Sequence, residues 1–334
     1  MTMAVGKPLM TVDEVKGAWA IMPTPALDNA GESEAENTVD LAEVGRAVEG
    51  LVAAGIDGIL SLGTLGECAT LTWDEKKAFI GTAVEAAAGR VPFFAGTTCL
   101  NTRDTIAQTK EASRLGATGT MLGLPMWCAV DHTTAVNFYK DVAAACPDMA
   151  LCIYANHAAF RFGFNTEFWA DVADIPQVIM AKYGAIPNLA ADMEAVQRKV
   201  KFLPIDMNFC EVAKADPEFN NAFWSSGAPC EPSLATHLRD VVAAAVASGD
   251  WSAAEALTQE VGQTVWSLIP NNGDFEEFNK YNIGLEKARI DAGGWMKAGP
   301  VRAPYRYVPE KYLEGARASG AGWAALANKI KTQA

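Results

Sequence analysis

Histidine is scarce in this chain: His132, His157 and His237 are the three it has, at spacings that match no metal site. That argues against zinc-dependent chemistry. The seven cysteines, at positions 68, 99, 128, 146, 152, 210 and 230, form no Cys-x-x-Cys pair. Their number is odd, so a disulfide framework is not expected, and a reducing cytoplasm is the natural home. Clusters of Lys and Arg are lacking too. With 27 basic against 40 acidic residues, a net charge of -13 and a pI near 4.8, the chain offers no basic surface to neutralise nucleic-acid phosphates. Gly, Asp and Lys interrupt every apolar run short of a membrane span, and residues 1–20 hold no apolar core behind a basic start. Neither membrane insertion nor export is expected. The glycine-rich run at 63–66 lacks the Lys-Ser/Thr that completes a phosphate loop, and no metal, nucleotide or flavin cofactor is suggested.

What is present is apolar substance: half of 334 residues, enough for one large α/β barrel or two ordinary domains. Short apolar runs alternate with longer Ala-rich amphipathic segments. The short runs are Ala18–Thr24, Gly58–Gly63, Val91–Thr97, Gly119–Pro125, Ala150–Asn156, Val178–Tyr183, Val200–Asp206 and Asn221–Gly227. Eight strands with helical connections read as an α/β (β/α)8 TIM barrel over residues 17–249. Local helix starts agree: Thr72 to Glu75 fits a capping box, and Asn101-Thr102, Asp131 and Pro232-Ser233 suit first turns. Residues 250–334 read as a C-terminal helical extension packed on the barrel, with helices near 251–268, 274–294 and 309–331 separated by Pro270 to Gly273 and Gly299-Pro300.

The active site of such a barrel lies where the strands end, so the last residues of each run matter most. Lys182 ends the run that begins at Val178, and 28 positions earlier Tyr154 lies near the end of another. An ammonium beside Val178, Ile179 and Met180 is costly to keep charged, which favours a neutral amine able to attack a ketone. A neighbouring phenol can shuttle the protons, so the pair points to Schiff-base chemistry. Alone, Lys182 reads as a lysine snorkelling from the rim, and Tyr154 equally as a core tyrosine. After the second strand, Gly63-Thr64-Leu65-Gly66 lets the backbone turn tightly and aim N–H groups, with the Thr64 hydroxyl, at an anion such as a substrate carboxylate. A plain turn into the next helix accounts for it equally well.

Beyond these single readings, Gly63-Thr-Leu-Gly-Glu67 with Ala69-Thr-Leu71, Tyr154 with Asn156, and Lys182 after its strand resemble the pyruvate-dependent class I aldolases of the N-acetylneuraminate lyase and dihydrodipicolinate synthase superfamily. The strings GTLGECATLTWDEK (63–76), GTTCLNTRDTI (96–106), GTMLGLPMW (119–127), FWSSGA (223–228) and KYNIGLEKARIDAGGWMKAGP (280–300) are similar to the bacterial hydratase-aldolases of polycyclic aromatic degradation. The likeness runs from about residue 17 to the C-terminus, and the last string is specific to that branch. It implies that Lys182 forms an imine with the C2 ketone of a pyruvate-derived substrate, that Tyr154 is the general acid/base, and that Thr64 with the Leu65 amide holds the pyruvoyl carboxylate. Relatives that make dihydrodipicolinate carry a second threonine where Leu65 stands and a relay tyrosine where Trp127 stands. Their absence argues against synthase activity and leaves Trp127 to stack on an aromatic substrate.

The implied substrate is a benzylidenepyruvate, hydrated at its benzylic carbon and then cleaved to an aromatic aldehyde and pyruvate. Asn156, two residues after Tyr154 and on the same strand face, is expected to place the water or the benzylic hydroxyl, although an Asn closing a strand in a turn explains it equally. Trp224 and Ser225 at the last strand and Asn282 in the branch-specific string are further candidates. The branch's substrates carry an ortho hydroxyl or an ortho carboxylate. His157 and Arg161 after the fifth strand offer a cation, although both read equally as solvated loop residues, so the expectation leans to trans-2'-carboxybenzalpyruvate over trans-o-hydroxybenzylidenepyruvate. A catalytically silent keto-acid-binding barrel is the alternative from another class. The expected partner is a small-molecule substrate, with no nucleic acid or membrane, and the superfamily likeness implies a homotetramer.

Overall fold

The computed structural model describes residues 8–184 and 186–333. Eight strands form one parallel sheet: β1 (Gly17–Met22), β2 (Gly58–Ser61), β3 (Phe93–Gly96), β4 (Gly119–Leu122), β5 (Ala150–Tyr154), β6 (Val178–Lys182), β7 (Lys201–Leu203) and β8 (Ala222–Ser225). Their order runs from β7 down to β1 and then to β8. Closure between β7 and β8 rests on a parallel bridge from Ile205 to Trp224, where the Trp224 amide donates to the Pro204 carbonyl at 2.9 Å. Pro204 has no N–H of its own to return, which keeps this seam short. Nearly every strand residue is buried, as in a parallel sheet covered on both faces.

Helices α1 (Leu41–Ala53), α2 (Trp73–Ala87), α3 (Thr102–Arg114) and α4 (His132–Ala145) follow the first four strands. A short α5 (His157–Phe160) precedes α6 (Thr166–Val172), and α7 (Leu189–Val196), α8 (Phe209–Ala215) and α9 (Pro232–Ser248) complete the ring. The starts come from local chemistry. Thr72 and Glu75 cap each other's amides at α2, while Asn101 and Asp131 accept from the third amides of α3 and α4. Pro232 takes the first position of α9, and Glu231 caps it through the Ser233 amide.

Most strands are shorter than the apolar runs that predict them, and the loss is largest at the C-terminal ends. After β2 the chain leaves extended geometry at once: Leu62 has φ 52° and Glu67 has φ 56°. Apolar character continues into these loops because they are buried under the C-terminal helices, so hydrophobicity does not mark where the pairing stops.

The region beyond Gly249 forms α10 (Ser252–Trp266), a single kinked turn α11 (Pro270–Gly273), α12 (Phe275–Gly293) and α13 (Glu310–Gln333). These helices share the barrel's core, since Val261, Ile290 and Trp323 lie in the same apolar cluster as the strands. Leu268, Ile269, Leu285, Tyr312 and Ala316 make a smaller cluster of their own. One consequence positions the site: α10 and α12 stand over the strand ends and roof the barrel mouth. Among the described residues, no helix is long and apolar enough to cross a membrane.

Candidate active site

Between the strand ends and this roof lies a cavity of about 460 Å³ that takes in Lys182, Tyr154, Thr64 and Asn282. Lys182 and Tyr154 are register partners across β5 and β6, so parallel pairing alone puts them side by side. The Lys182 ammonium lies 4.7 Å from the centroid of the Tyr154 ring and 3.7 Å from that of Trp224. Its contacts are therefore π faces, with no carboxylate ion pair among the described residues.

The Tyr154 phenol accepts from the Asn156 amide at 3.1 Å and shares a hydrogen bond with the Thr64 hydroxyl at 2.9 Å. Burial pushes the phenol up, but the Lys182 ammonium together with the Thr64 and Asn156 bonds outweighs it and holds the phenol below its ordinary value. That combination makes the phenolate more accessible beside the amine.

The turn after β2 has the form an anion needs. The Glu67 and Cys68 amides bond back to Thr64 and Gly63 carbonyls, whereas the Leu65 and Gly66 amides have no acceptor among the described residues. A Cβ on Gly63 would meet Met121 Cε at 2.9 Å and reach van der Waals contact with the Tyr154 ring at 3.4 Å, so a side chain there would push the end of Met121 aside. The Thr24 hydroxyl grips the Gly66 carbonyl at 2.8 Å from below. Glu67 is fully buried and receives Lys287 Nζ at 2.8 Å, the Arg302 amide at 2.8 Å and the Arg302 guanidinium. Two cations from the C-terminal region thus anchor the loop.

Asn156 caps α5 by accepting from the Ala159 amide at 3.0 Å while its NH2 reaches Tyr154. Its second N–H is free for a ligand. Trp224, His157, Gly63, Leu65 and Asn282 also line the cavity. His157 Nδ1 donates to the Phe162 carbonyl at 3.1 Å.

Three expected residues lie elsewhere. Ser225 is sealed below the cavity wall, where its hydroxyl donates to Asp206 at 2.7 Å and accepts from the Ala228 amide. Trp127 is 79% exposed and does not line the cavity, so it is not the stacking surface for an enclosed ring. Arg161 uses its guanidinium on the carbonyls of Met126 and Trp127, at 2.5 and 2.8 Å, and is likewise outside the lining.

Other residues take their places. Ser226 lines the cavity instead of Ser225, and strand alternation gave the signal: two residues after Trp224 shares its face, one residue after does not. Val265, Leu268, Ile269, Phe275 and Phe278 supply an apolar wall fit for an aryl ring. Phe275, Phe278, Asn279, Asn282 and Glu286 all line the cavity from one face of α12. Their spacing is helical, so Asn282 was sufficient to reveal the rest. Among the described residues no group of three metal-type ligands comes together.

Comparison with known proteins agrees with this geometry. The model of the dihydrodipicolinate synthetase family matches residues 33–314. A trans-O-hydroxybenzylidenepyruvate hydratase-aldolase from Sphingobium xenophagum is 57% identical over 98% of this chain and 100% of its own length. A trans-2'-carboxybenzalpyruvate hydratase-aldolase from Nocardioides sp. (strain KP7) is 36% identical over 96% of this chain and 97% of its own. The solved structure of PhdJ bound to substrate intermediate superposes with a TM-score of 0.92 at 40% identity, covering 96% of this chain and 99% of that one. The chain therefore belongs to the dihydrodipicolinate synthetase family and stands among its hydratase-aldolases.

Proposed function

We propose that this hydratase-aldolase converts an ortho-hydroxylated benzylidenepyruvate and water into an aromatic aldehyde and pyruvate through an imine at Lys182. The observation that carries the reading is the Lys182 amine set between the Tyr154 and Trp224 rings, at the mouth of the barrel and beside the open amides of the 63–66 turn. Lys182 Nζ attacks the C2 ketone and water leaves, giving a cationic imine conjugated with the aryl-substituted double bond. The pyruvoyl carboxylate sits on the Leu65 and Gly66 amides with the Thr64 hydroxyl.

Electron withdrawal by the imine makes the benzylic carbon electrophilic. Water adds there, losing a proton to Tyr154 or to a water it orders, and the resulting enamine is protonated at C3. Deprotonation of the new benzylic hydroxyl then breaks the C3–C4 bond. The aldehyde departs, the electrons return to the imine as an enamine, and protonation followed by hydrolysis frees pyruvate and Lys182. The free N–H of Asn156 is aimed at the water or the benzylic hydroxyl. Its bond to Tyr154 also fixes the phenol.

The choice of ring substituent follows from charge. A carboxylated ring needs a cation next to it; of the two residues expected to supply one, His157 lines the cavity with its Nδ1 on the Phe162 carbonyl, and Arg161 is engaged by two carbonyls outside the lining. Glu286 lines the cavity instead, and a second carboxylate there meets like charge. The relative at 57% identity carries the hydroxylated substrate in its name. Homotetrameric assembly in the cytoplasm belongs to the same proposal, with sedimentation velocity as the check on the assembly.

Treatment with pyruvate and sodium borohydride, followed by mass spectrometry, tests the core of the reading. A single adduct on Lys182, absent from Lys182→Ala, is the expected result. An unmodified Lys182 would overturn the imine and leave a barrel that only binds keto acids.

A further inference from the structure

The nitrogen on which the proposed reaction turns is contacted by two rings, and the contacts are unequal. Lys182 Nζ stands 3.7 Å from the centroid of the Trp224 indole and 4.7 Å from that of the Tyr154 ring. The shorter distance is that of a cation seated on a π face. The closing seam of the barrel holds this face in place. The Trp224 amide donates to the Pro204 carbonyl, its backbone is in register with Trp19 of β1 and bridges to Ile205, and the next residue, Ser225, is tied to Asp206 and to the Ala228 amide. The indole N–H is buried and finds no acceptor among the described residues. Tryptophan gains nothing here from its polar edge, so what it offers beyond phenylalanine is the larger and more electron-rich face.

The proposed reaction needs positive charge at this nitrogen twice. When the Nζ–C2 double bond forms and water leaves, the imine nitrogen carries one proton and one positive charge. Addition of water at the benzylic carbon and cleavage of the C3–C4 bond each send an electron pair to that nitrogen and leave a neutral enamine. An unprotonated imine has no charge to neutralise and is a poor acceptor, so the proton on nitrogen has to be kept. A carboxylate would stabilise the cation but is also a base for its proton, whereas a π face stabilises the cation and takes no proton. Among the described residues no carboxylate pairs with Lys182. The titratable groups around it are Tyr154 and Cys152 of β5, Tyr183 next along the chain, His157 of α5, Glu286 of α12 and Asp206 beneath Ser225. Burial pushes the Cys152 thiol up to about 12, and Tyr183 is bonded to the buried Asp192.

We infer that Trp224 is the partner of the cationic imine: its indole face keeps the imine nitrogen protonated through hydration and cleavage, in place of a counter-ion. The role rests on the reading of Lys182 as the imine-forming lysine. It gives Trp224 a part in the chemistry apart from any contact with the aryl ring of the substrate, and it applies equally to the imine of pyruvate, which has no ring.

That last point supplies the test. Sodium cyanoborohydride reduces the protonated imine, so with saturating pyruvate the rate of adduct formation at Lys182, followed by mass spectrometry across pH, reads the protonated fraction. Position 224 is filled in turn with tryptophan, with its 5-fluoro, 5,7-difluoro and 5,6,7-trifluoro derivatives, and with leucine as Trp224→Leu. The fluorines keep the shape of the ring and withdraw electrons from its face. Tyr154 is present throughout, so what it adds to the profile is common to the series. The expected result is an alkaline midpoint that falls step by step with each fluorine and by roughly one to one and a half pH units in Trp224→Leu. Above the midpoint this is a loss of about 10- to 30-fold in protonated imine. A midpoint that stays in place along the fluorine series would overturn the role, whatever Trp224→Leu does, since that variant alone disturbs the seam. A Trp224→Leu that does not fold leaves the decision with the fluorine series. A parent enzyme that forms no adduct at any pH removes the imine at Lys182, and with it the underlying reading.

Discussion

Tyr154 gathers the competing forces of the site on one oxygen. Burial opposes its ionisation, while the Lys182 ammonium, the Thr64 hydroxyl and the Asn156 amide favour it. Lys182→Ala removes the cation and leaves burial in place, so the phenol should ionise at higher pH than in the parent. Ultraviolet titration of tyrosinate, with Tyr154→Phe to identify the signal, reads the shift directly; a step at unchanged or lower pH would show that the lysine does not hold the phenol down. The structure bears on where the residues expected from sequence lie, and those placements differ. Lys182, Tyr154 and Asn156 were legible because a parallel sheet converts strand ends into neighbours and period two keeps Tyr154 and Asn156 on one face. The same rule singles out Ser226 over Ser225, where adjacency in the string was followed instead. Trp127 is placed by its correspondence with the relay tyrosine of relatives and Arg161 by its charge in the loop after the fifth strand, and neither says whether a loop side chain turns into the cavity or onto a nearby carbonyl.

Helix α12 shows what an element adds that its residues do not state. Its cavity face begins with Phe275 and Phe278, continues through Asn279 and Asn282 and ends at Glu286, an apolar-to-acidic gradient along some three turns. An aryl ring against the aromatic end loses apolar burial when that end is cut back. Phe278→Ala should therefore raise KM for an aryl substrate roughly 10- to 100-fold, from about 1–3 kcal/mol of lost contact, with little change in the yield of the pyruvate adduct at Lys182. Steady-state kinetics beside the trapping assay checks this, and equal losses in both would place Phe278 in the fold rather than in ring recognition. The eight strands and three long C-terminal helices were readable from periodicity, to within a few residues at their ends. The roofing of the mouth was not, because no local pattern tells which face of a helix meets strand ends that lie elsewhere in the sequence.

Across the whole molecule, one buried carboxylate joins the two regions. Glu67 follows the glycine turn of residues 63–66, and its cationic partners are 220 and 235 residues further along. Burial depresses the Lys287 ammonium while Glu67 supports it, so the pair is a coupled unit. Glu67→Gln leaves Lys287 and Arg302 buried without their anion and should cost about 3–5 kcal/mol, read as a lower urea midpoint. A midpoint equal to the parent's would mean that the two cations find other partners. Arg302 also binds Thr38, whose hydroxyl and amide hold Glu75 of α2, so loss of the carboxylate is felt along the chain's first quarter. The same arrangement bears on how the protein is made. During synthesis the glycine turn of residues 63–66 emerges early, and the two charges that lock it, Lys287 and Arg302, are both present only once residue 302 has emerged. Until then Glu67 has to remain hydrated and the turn lacks its two cationic anchors, so the floor of the cavity takes its final form only when the C-terminal region docks.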